Sequence, residues 1–308
     1  MGVRTDDWSV VEKVIELCDR DELRGKIIPC FGLHPWFLHL LQSPNSQLKS
    51  KNDHYRQILT SKVKEDIDHI IDQLPEPIAF AEWSTALRKY LSKHEQAIVG
   101  EIGIDRSARL LDPATRVPTS VQCSIEYQFE IFGFQLELAQ EFNRPVSIHC
   151  VQAYGMLVNF LEAKFKPASL QKLKKYPSLL LEEDEEDGAE GHPNQKTQEQ
   201  PLRLCVHSYG GSKETIMSLM RLEPQIRVYI SFSIAINARL GARLKELIKA
   251  VPEDRLLLET DYNSPIGLDD KLMEVASLFA EARGLSLGEV AKKTKANWYY
   301  FVYGHNLS

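Results

Sequence analysis

No apolar run in this 308-residue chain approaches the ~18 residues of a membrane span, so the sequence offers no membrane partner. Cysteine is scarce: five residues, an odd number without regular spacing, exclude a disulfide framework. They read as reduced thiols of an intracellular protein, cytoplasmic or nuclear, and Cys30, Cys150 and Cys205 sit in apolar runs as packing residues. The opening Thr5-Asp6-Asp7-Trp8 is acidic and amphipathic, unlike a signal or transit peptide. A strong basic field is also missing. The net charge is −6, and residues 182–200 alone, with eight acids against one lysine, contribute −7. The rest lies within one charge of neutral, so long-range attraction to polyanions is weak and a phosphate substrate needs metal ions and a few local bases.

Six short apolar runs punctuate the chain, at residues 27–34, 97–104, 145–149, 202–207, 227–231 and 255–261. Each is continuously apolar rather than alternating, as expected of strands buried on both faces of a parallel sheet. Helical spacing separates them. Trp8, Val11, Ile15 and Cys18 open the chain; Ile125, Phe129, Phe132, Leu136 and Ala139 recur every three or four positions. Further helices are expected over 154–165, 213–222, 238–250 and 272–283, and a last one begins at the capping box Ser286-x-x-Glu289. Strand and helix in alternation imply βαβ units, here a (β/α)8 TIM-barrel-like α/β fold, as one domain over 1–308. Two stretches interrupt the repeat as insertions. Residues 43–72 join a polar loop to a helix carrying Ile58, Val63, Ile67, Ile70 and Ile71, and 167–200 end in the acidic segment, whose composition reads as a disordered surface loop. Either insertion offers a place for a protein partner.

The chemistry-bearing side chains fall at equivalent points. Glu101, His149, His207 and Asp261 stand at or near the C-terminal ends of four separate runs and His34 ends a fifth, where a parallel barrel assembles its active site. Singly, each is more commonly a structural histidine or a solvated acid; together, two imidazoles and two carboxylates suit Zn²⁺, Mn²⁺ or a similar divalent cation. Glu259 and Asp261, two apart, project to the same side of an extended strand, so Glu259 either supports the metal or pairs with a buried base.

Read in order, Gly32-Leu33-His34-Pro35-Trp36, Gly100-Glu101-Ile102-Gly103-Ile104-Asp105, Pro145-Val146-x-Ile148-His149, Val206-His207-x-x-Gly210-Gly211 and Leu257-Leu258-Glu259-Thr260-Asp261 resemble the motif series of the TatD family of metal-dependent deoxyribonucleases. The likeness runs from Gly32 to Asp261, with Asn297 fitting the family's usual ending; the insertions and Trp36 resemble its fungal branch. The resemblance implies that Glu101 bridges two metal ions (Zn, Mn or Mg), that His149 and His207 ligate one, and that Asp261 binds the other and takes the proton from the attacking water. It places His34 near the phosphate and Asp105 and Arg106 in support of site or substrate, and it implies hydrolysis of DNA or another phosphodiester.

One family feature is missing. The family opens on a strand with a His-x-His pair, two ligands for the metal that Asp261 binds, yet none of the nine histidines here lies two residues from another. Met1-Gly2-Val3-Arg4-Thr5 resembles the loop leaving the second barrel strand, so the barrel is expected to be N-terminally incomplete, with six strands and about one metal ion rather than two. An internal methionine as the recorded start, or a shortened relative with weakened chemistry, would each account for this. Two further functions compete with phosphodiester hydrolysis: metal-assisted hydrolysis of a small ester, amide or lactone, and a weakened, TatD-like interaction protein.

Overall fold

A computed structural model describes residues 1–18, 25–46, 50–165 and 200–306. Six strands form one parallel sheet: β1 (Cys30–Phe31), β3 (Ile98–Asp105), β5 (Val146–Val151), β6 (Leu202–Val206), β7 (Ile226–Phe232) and β8 (Leu256–Leu258); β2 (Leu59–Thr60) and β4 (Gln122–Cys123) pair with each other outside it. Their spatial order is their chain order, β1-β3-β5-β6-β7-β8, which is the winding of a (β/α)8 barrel. Among the described residues no ladder joins β8 to β1, so the curled sheet is open on one side. The six expected runs are these six strands. Beyond β1 the chain's first residues continue the sheet: Gly2 bridges Phe31 in parallel, and the Gly32 and His34 amides donate to the Gly2 and Val3 carbonyls.

Alternation along the strands divides the sheet into two faces. Phe31, Val99, Val146, Ile148, Leu204, Val206, Val228 and Ile230 belong to the large core that the surrounding helices cover. Cys30, Ile98, Cys205, Tyr229 and Leu257 form a second, inner cluster closed by Phe301 and Val302 of the final helix (Leu287–Tyr303). That helix starts with the anticipated reciprocal cap between Ser286 and Glu289. All five cysteines are free, and four of them are buried.

The helix following β3, Ile125–Glu141, carries the apolar stripe read from the sequence, but its buried face also holds two glutamines seven residues apart. Gln135 accepts from the Leu33 amide and donates to the Leu33 carbonyl, as a neighbouring strand would. Gln128 does the same for Asp105. Buried backbone groups need partners, so these two amides fasten the helix to the strand ends beneath His34 and Asp105.

The 43–72 stretch contains two helices, not one: Lys51–Ile58, then Lys64–Gln73. Between them Leu59–Thr60 pairs antiparallel with Gln122–Cys123, which the sequence did not suggest. The first of these helices is so polar that no periodicity betrays it; His54, Tyr55 and Ile58 are its buried residues. A further helix, Phe80–Lys93, was not anticipated, although Trp83, Leu87 and Leu91 repeat every four residues and are fully buried. The acidic part of the 167–200 insertion lies outside the described residues. Among the described residues, no helix is long and apolar enough to cross a membrane.

Candidate metal centre

Strand alternation aims the site. His149 lies two residues beyond Ser147, His207 two beyond Cys205 and Glu259 two beyond Leu257, so all three prolong rows that face the inside of the curled sheet. Room at this end comes from Gly103, which sits opposite His149 in the ladder with φ 145°. A Cβ there would lie 2.0 Å from the His149 carbonyl oxygen, a separation no side chain tolerates.

Three imidazoles converge on one carboxylate oxygen. Glu101 Oε2 lies 3.5 Å from His207 Nε2, 3.7 Å from His34 Nε2 and 4.0 Å from His149 Nδ1. The nearest polar atoms of His34, Glu101 and His149 all fall within 4.8 Å of one another, close enough on spacing alone to surround one metal ion. These spacings are long for hydrogen bonds. They suit donors around a small ion: bonds of about 2.0–2.2 Å at tetrahedral angles separate two ligands by about 3.4 Å.

The outer contacts of each ring decide what it presents inward. His149 Nε2 is 3.2 Å from Asp105 Oδ2. Burial alone would raise the Asp105 carboxyl, but hydrogen bonds from His149, Ser107 and Trp36 outweigh it and hold the group well below the usual carboxylate range. An ionised carboxylate only accepts, so His149 carries its proton on Nε2 and turns the Nδ1 lone pair toward Glu101. His207 Nδ1 lies 3.0 Å from Ser147 Oγ, which leaves Nε2 to face Glu101. His34 differs. Its Nδ1 accepts from the Trp36 amide at 3.2 Å, and burial, reinforced by His149 and His207, holds its pKa down to about 2. It is therefore a neutral ring with an Nε2–H donor directed at the site. The His149 lone pair facing a carboxylate repels it unless a cation lies between them, and the donor set of Glu101, His149 and His207, one oxygen and two nitrogens, fits a divalent first-row ion.

The remaining candidates form a second cluster. Ser208, the residue after His207, donates its amide to Glu259 Oε1 at 2.5 Å, and its hydroxyl bridges Glu259 Oε1 (2.9 Å) and Asp261 Oδ2 (3.2 Å). Burial pushes the Glu259 carboxyl up, with His207 opposing and Asp261 adding to the shift. Ser208 and Asp261 both have positive φ, 43° and 50°, in a region non-glycine residues seldom occupy outside functional sites. Asp261 is exposed, three residues past the end of β8, and among the described residues no hydrogen bond or ion pair joins it to Glu101, His149 or His207. Arg106 stands apart on the rim, exposed, with its guanidinium on the Gln152 carbonyl.

The family model described as "TatD related DNase" matches residues 1–301. The chain belongs to that family. It is similar to the Cut9-interacting protein scn1 of Schizosaccharomyces pombe, with 33% identity over 98% of this chain and 90% of that protein. It is also similar to an uncharacterized deoxyribonuclease of Saccharomyces cerevisiae, with 27% identity over 83% of this chain and 72% of the relative. The 3'-5' ssDNA/RNA exonuclease TatD of Erwinia tasmaniensis is 27% identical over 70% of this chain and 71% of its own. Among solved structures, a TatD family hydrolase from Entamoeba histolytica superposes with a TM-score of 0.54 over 99% of this chain and 83% of that one, at 13% identity, a likeness of fold. The TatD family thus supplies the metal-dependent hydrolase class, and the TatD-type barrel winding accounts for the sequential sheet.

Among the residues the sequence did not single out, Ser147, Ser208 and Gln128 matter most here. Each orients a site residue through a contact distant in the chain or across the sheet. A glutamine on the apolar stripe of a core helix is the one signal that pointed to Gln128 and Gln135.

Proposed function

We propose that this chain is a metal-dependent phosphodiesterase acting on DNA, with the divalent ion held by Glu101, His149 and His207. The observation that carries this reading is the convergence of His149 Nδ1 and His207 Nε2 on the Glu101 carboxylate, each ring held from behind by Asp105 or Ser147. The family's printed description and the deoxyribonuclease and exonuclease names of its relatives support the choice of substrate. When bound, a divalent ion in such a site activates water and stabilises charge on phosphoryl oxygens.

The protein's own groups do the rest. His34 offers its Nε2–H to a phosphate oxygen and, being neutral, does not compete for the cation. Asp261, steadied through Oδ2 by Ser208, is the carboxylate that accepts a proton from the attacking water. Water adds to phosphorus, one P–O ester bond breaks, and the departing oxygen takes a proton from bulk water to leave as a hydroxyl, while Asp261 returns the proton it accepted to solvent. Glu259 holds the Ser208 loop in place. Arg106 and Asp105 differ in kind: Asp105 orients His149, whereas Arg106 is a rim cation. The free thiols favour a cytoplasmic or nuclear location, which fractionation tests.

The test is phosphodiester cleavage by the purified chain with added Mn²⁺, Mg²⁺ or Zn²⁺. Activity that Glu101→Ala abolishes supports the assignment; no activity with any of these metals, or activity indifferent to Glu101→Ala, ends it. One observation favours a second reading, an interaction protein with weakened chemistry: Asp261 lacks contact with the histidine trio, and a relative at 33% identity is named for an interaction. A metal-loaded protein with about one tightly held ion and no turnover is its outcome.

A further inference from the structure

Trp36 is the feature that the hydrolytic site leaves unexplained. Its indole is 55% exposed, although an apolar ring of that size is ordinarily covered. It is not loose. Nε1 donates to Asp105 Oδ2 at 2.7 Å, the oxygen that also receives His149, so one edge of the ring is pinned to the frame of the metal centre. Its centroid lies 5.1 Å from the His34 ring and 6.5 Å from that of His149. An aromatic plane held at its edge, open to solvent and beside the rings of His34 and His149, is a surface on which a flat ring can stack.

The ground beyond it fits the rest of a nucleic-acid strand. Trp36 borders a cavity of about 700 Å³, lined by Phe37, Leu111 and Pro113 and by Arg4, Arg109 and Arg116. The three arginines are exposed, and the Arg4 guanidinium lies over the Phe37 ring at 5.3 Å. Asp7 partners Arg4, and Arg109 caps nearby carbonyls, so the net positive charge is modest and local. Aromatic faces interleaved with guanidinium groups are how unpaired strands are bound without reading sequence. A near-neutral body with one such strip favours a splayed, single-stranded end over a duplex held through its outer phosphates.

Resting on the nuclease reading above, we propose that Trp36 is a base-stacking subsite and that the adjoining arginine-edged groove carries the following nucleotides of a single-stranded substrate.

The experiment compares native protein with Trp36→Ala and Trp36→Phe, using the full chain loaded with Mn²⁺. The probes are a single-stranded oligodeoxynucleotide and the same strand carrying abasic sites. Cleavage gives KM and kcat, and anisotropy of a labelled strand gives affinity independently of cleavage. Losing one stacked base is expected to weaken binding about tenfold or more for the base-bearing strand in Trp36→Ala, with little change for the abasic strand. Trp36→Phe keeps a ring face but not the bond to Asp105 and is expected to restore most of the affinity. Equal losses on both probes, with no rescue by phenylalanine, would mean that Trp36 acts only through Asp105, and the subsite would be refuted. Unchanged affinity in Trp36→Ala refutes it as well. The two readings separate cleanly: cleavage with Trp36-independent binding removes the subsite alone, whereas Trp36-dependent binding without cleavage removes the nuclease assignment alone.

Discussion

Replacing Asp105 with asparagine changes one proton position at the centre of the site and almost no volume. Asp105 uses Oδ1 to accept from the Ser107 amide, the Ser107 hydroxyl and the Ala108 amide, and Oδ2 to accept from Trp36 and His149. Asparagine can keep its carbonyl on the loop, where three donors wait, but its NH₂ must then face two further donors. His149 escapes the clash by moving its proton to Nδ1 and accepting at Nε2. That turns an N–H toward Glu101, where a lone pair stood 4.0 Å away, and removes the nitrogen as a ligand. Loss of an outer partner of a metal-bound histidine typically weakens metal affinity 10- to 100-fold, about 1.4–2.8 kcal/mol. Calorimetric titration of Mn²⁺ into the metal-free native and Asp105→Asn proteins measures this directly. The folded state should lose only about 1–2 kcal/mol, chiefly for the stranded Trp36 donor, so a denaturation curve serves as control. Identical metal affinities in two well-folded proteins would refute the assigned tautomer, and with it the orientation argument for His149.

Three other outcomes follow from the same coordinates. Gly103→Ala places a methyl group against the His149 carbonyl and should cost about 3 kcal/mol in urea denaturation, with loss of metal binding; a neutral substitution would contradict the close approach. His39 is buried beside His54, and burial holds its pKa down to about 4 against an ordinary 6.5. The unfolded chain takes up that proton first, so the stability present above pH 6.5 drains as pH falls toward 4, by about 3 kcal/mol. His39→Gln should flatten this part of the stability profile, and an unchanged profile would remove His39 as its source. Chelation should abolish hydrolysis and lower the thermal midpoint, and free ion restored at about 100 times Kd should return roughly 2.7 kcal/mol, or about 5–10 °C; a midpoint indifferent to metal would show that the ion is not bound by the folded state.

The sequence by itself determined the six strands, their parallel sense and the level of the site. Continuous apolar runs mark strands covered on both sides, and a histidine closing such a run must sit at the mouth of the sheet, whereas Glu101 lies within its strand. Motif order was enough to place Glu101, His149 and His207 together. What only the tertiary structure decided is how each side chain is turned. Ser147 meets His207 across two strands, and Trp36 meets Asp105 from 69 residues away; registers of that kind depend on how strands align, not on spacing along the chain. The polar helix Lys51–Ile58 escaped notice because it has no stripe to read, and Asp261 stands apart because its segment leaves β8 before reaching the histidines. Periodicity is a local property of a chain and survives in one dimension, whereas which nitrogen faces a cation is fixed by neighbours that only folding supplies.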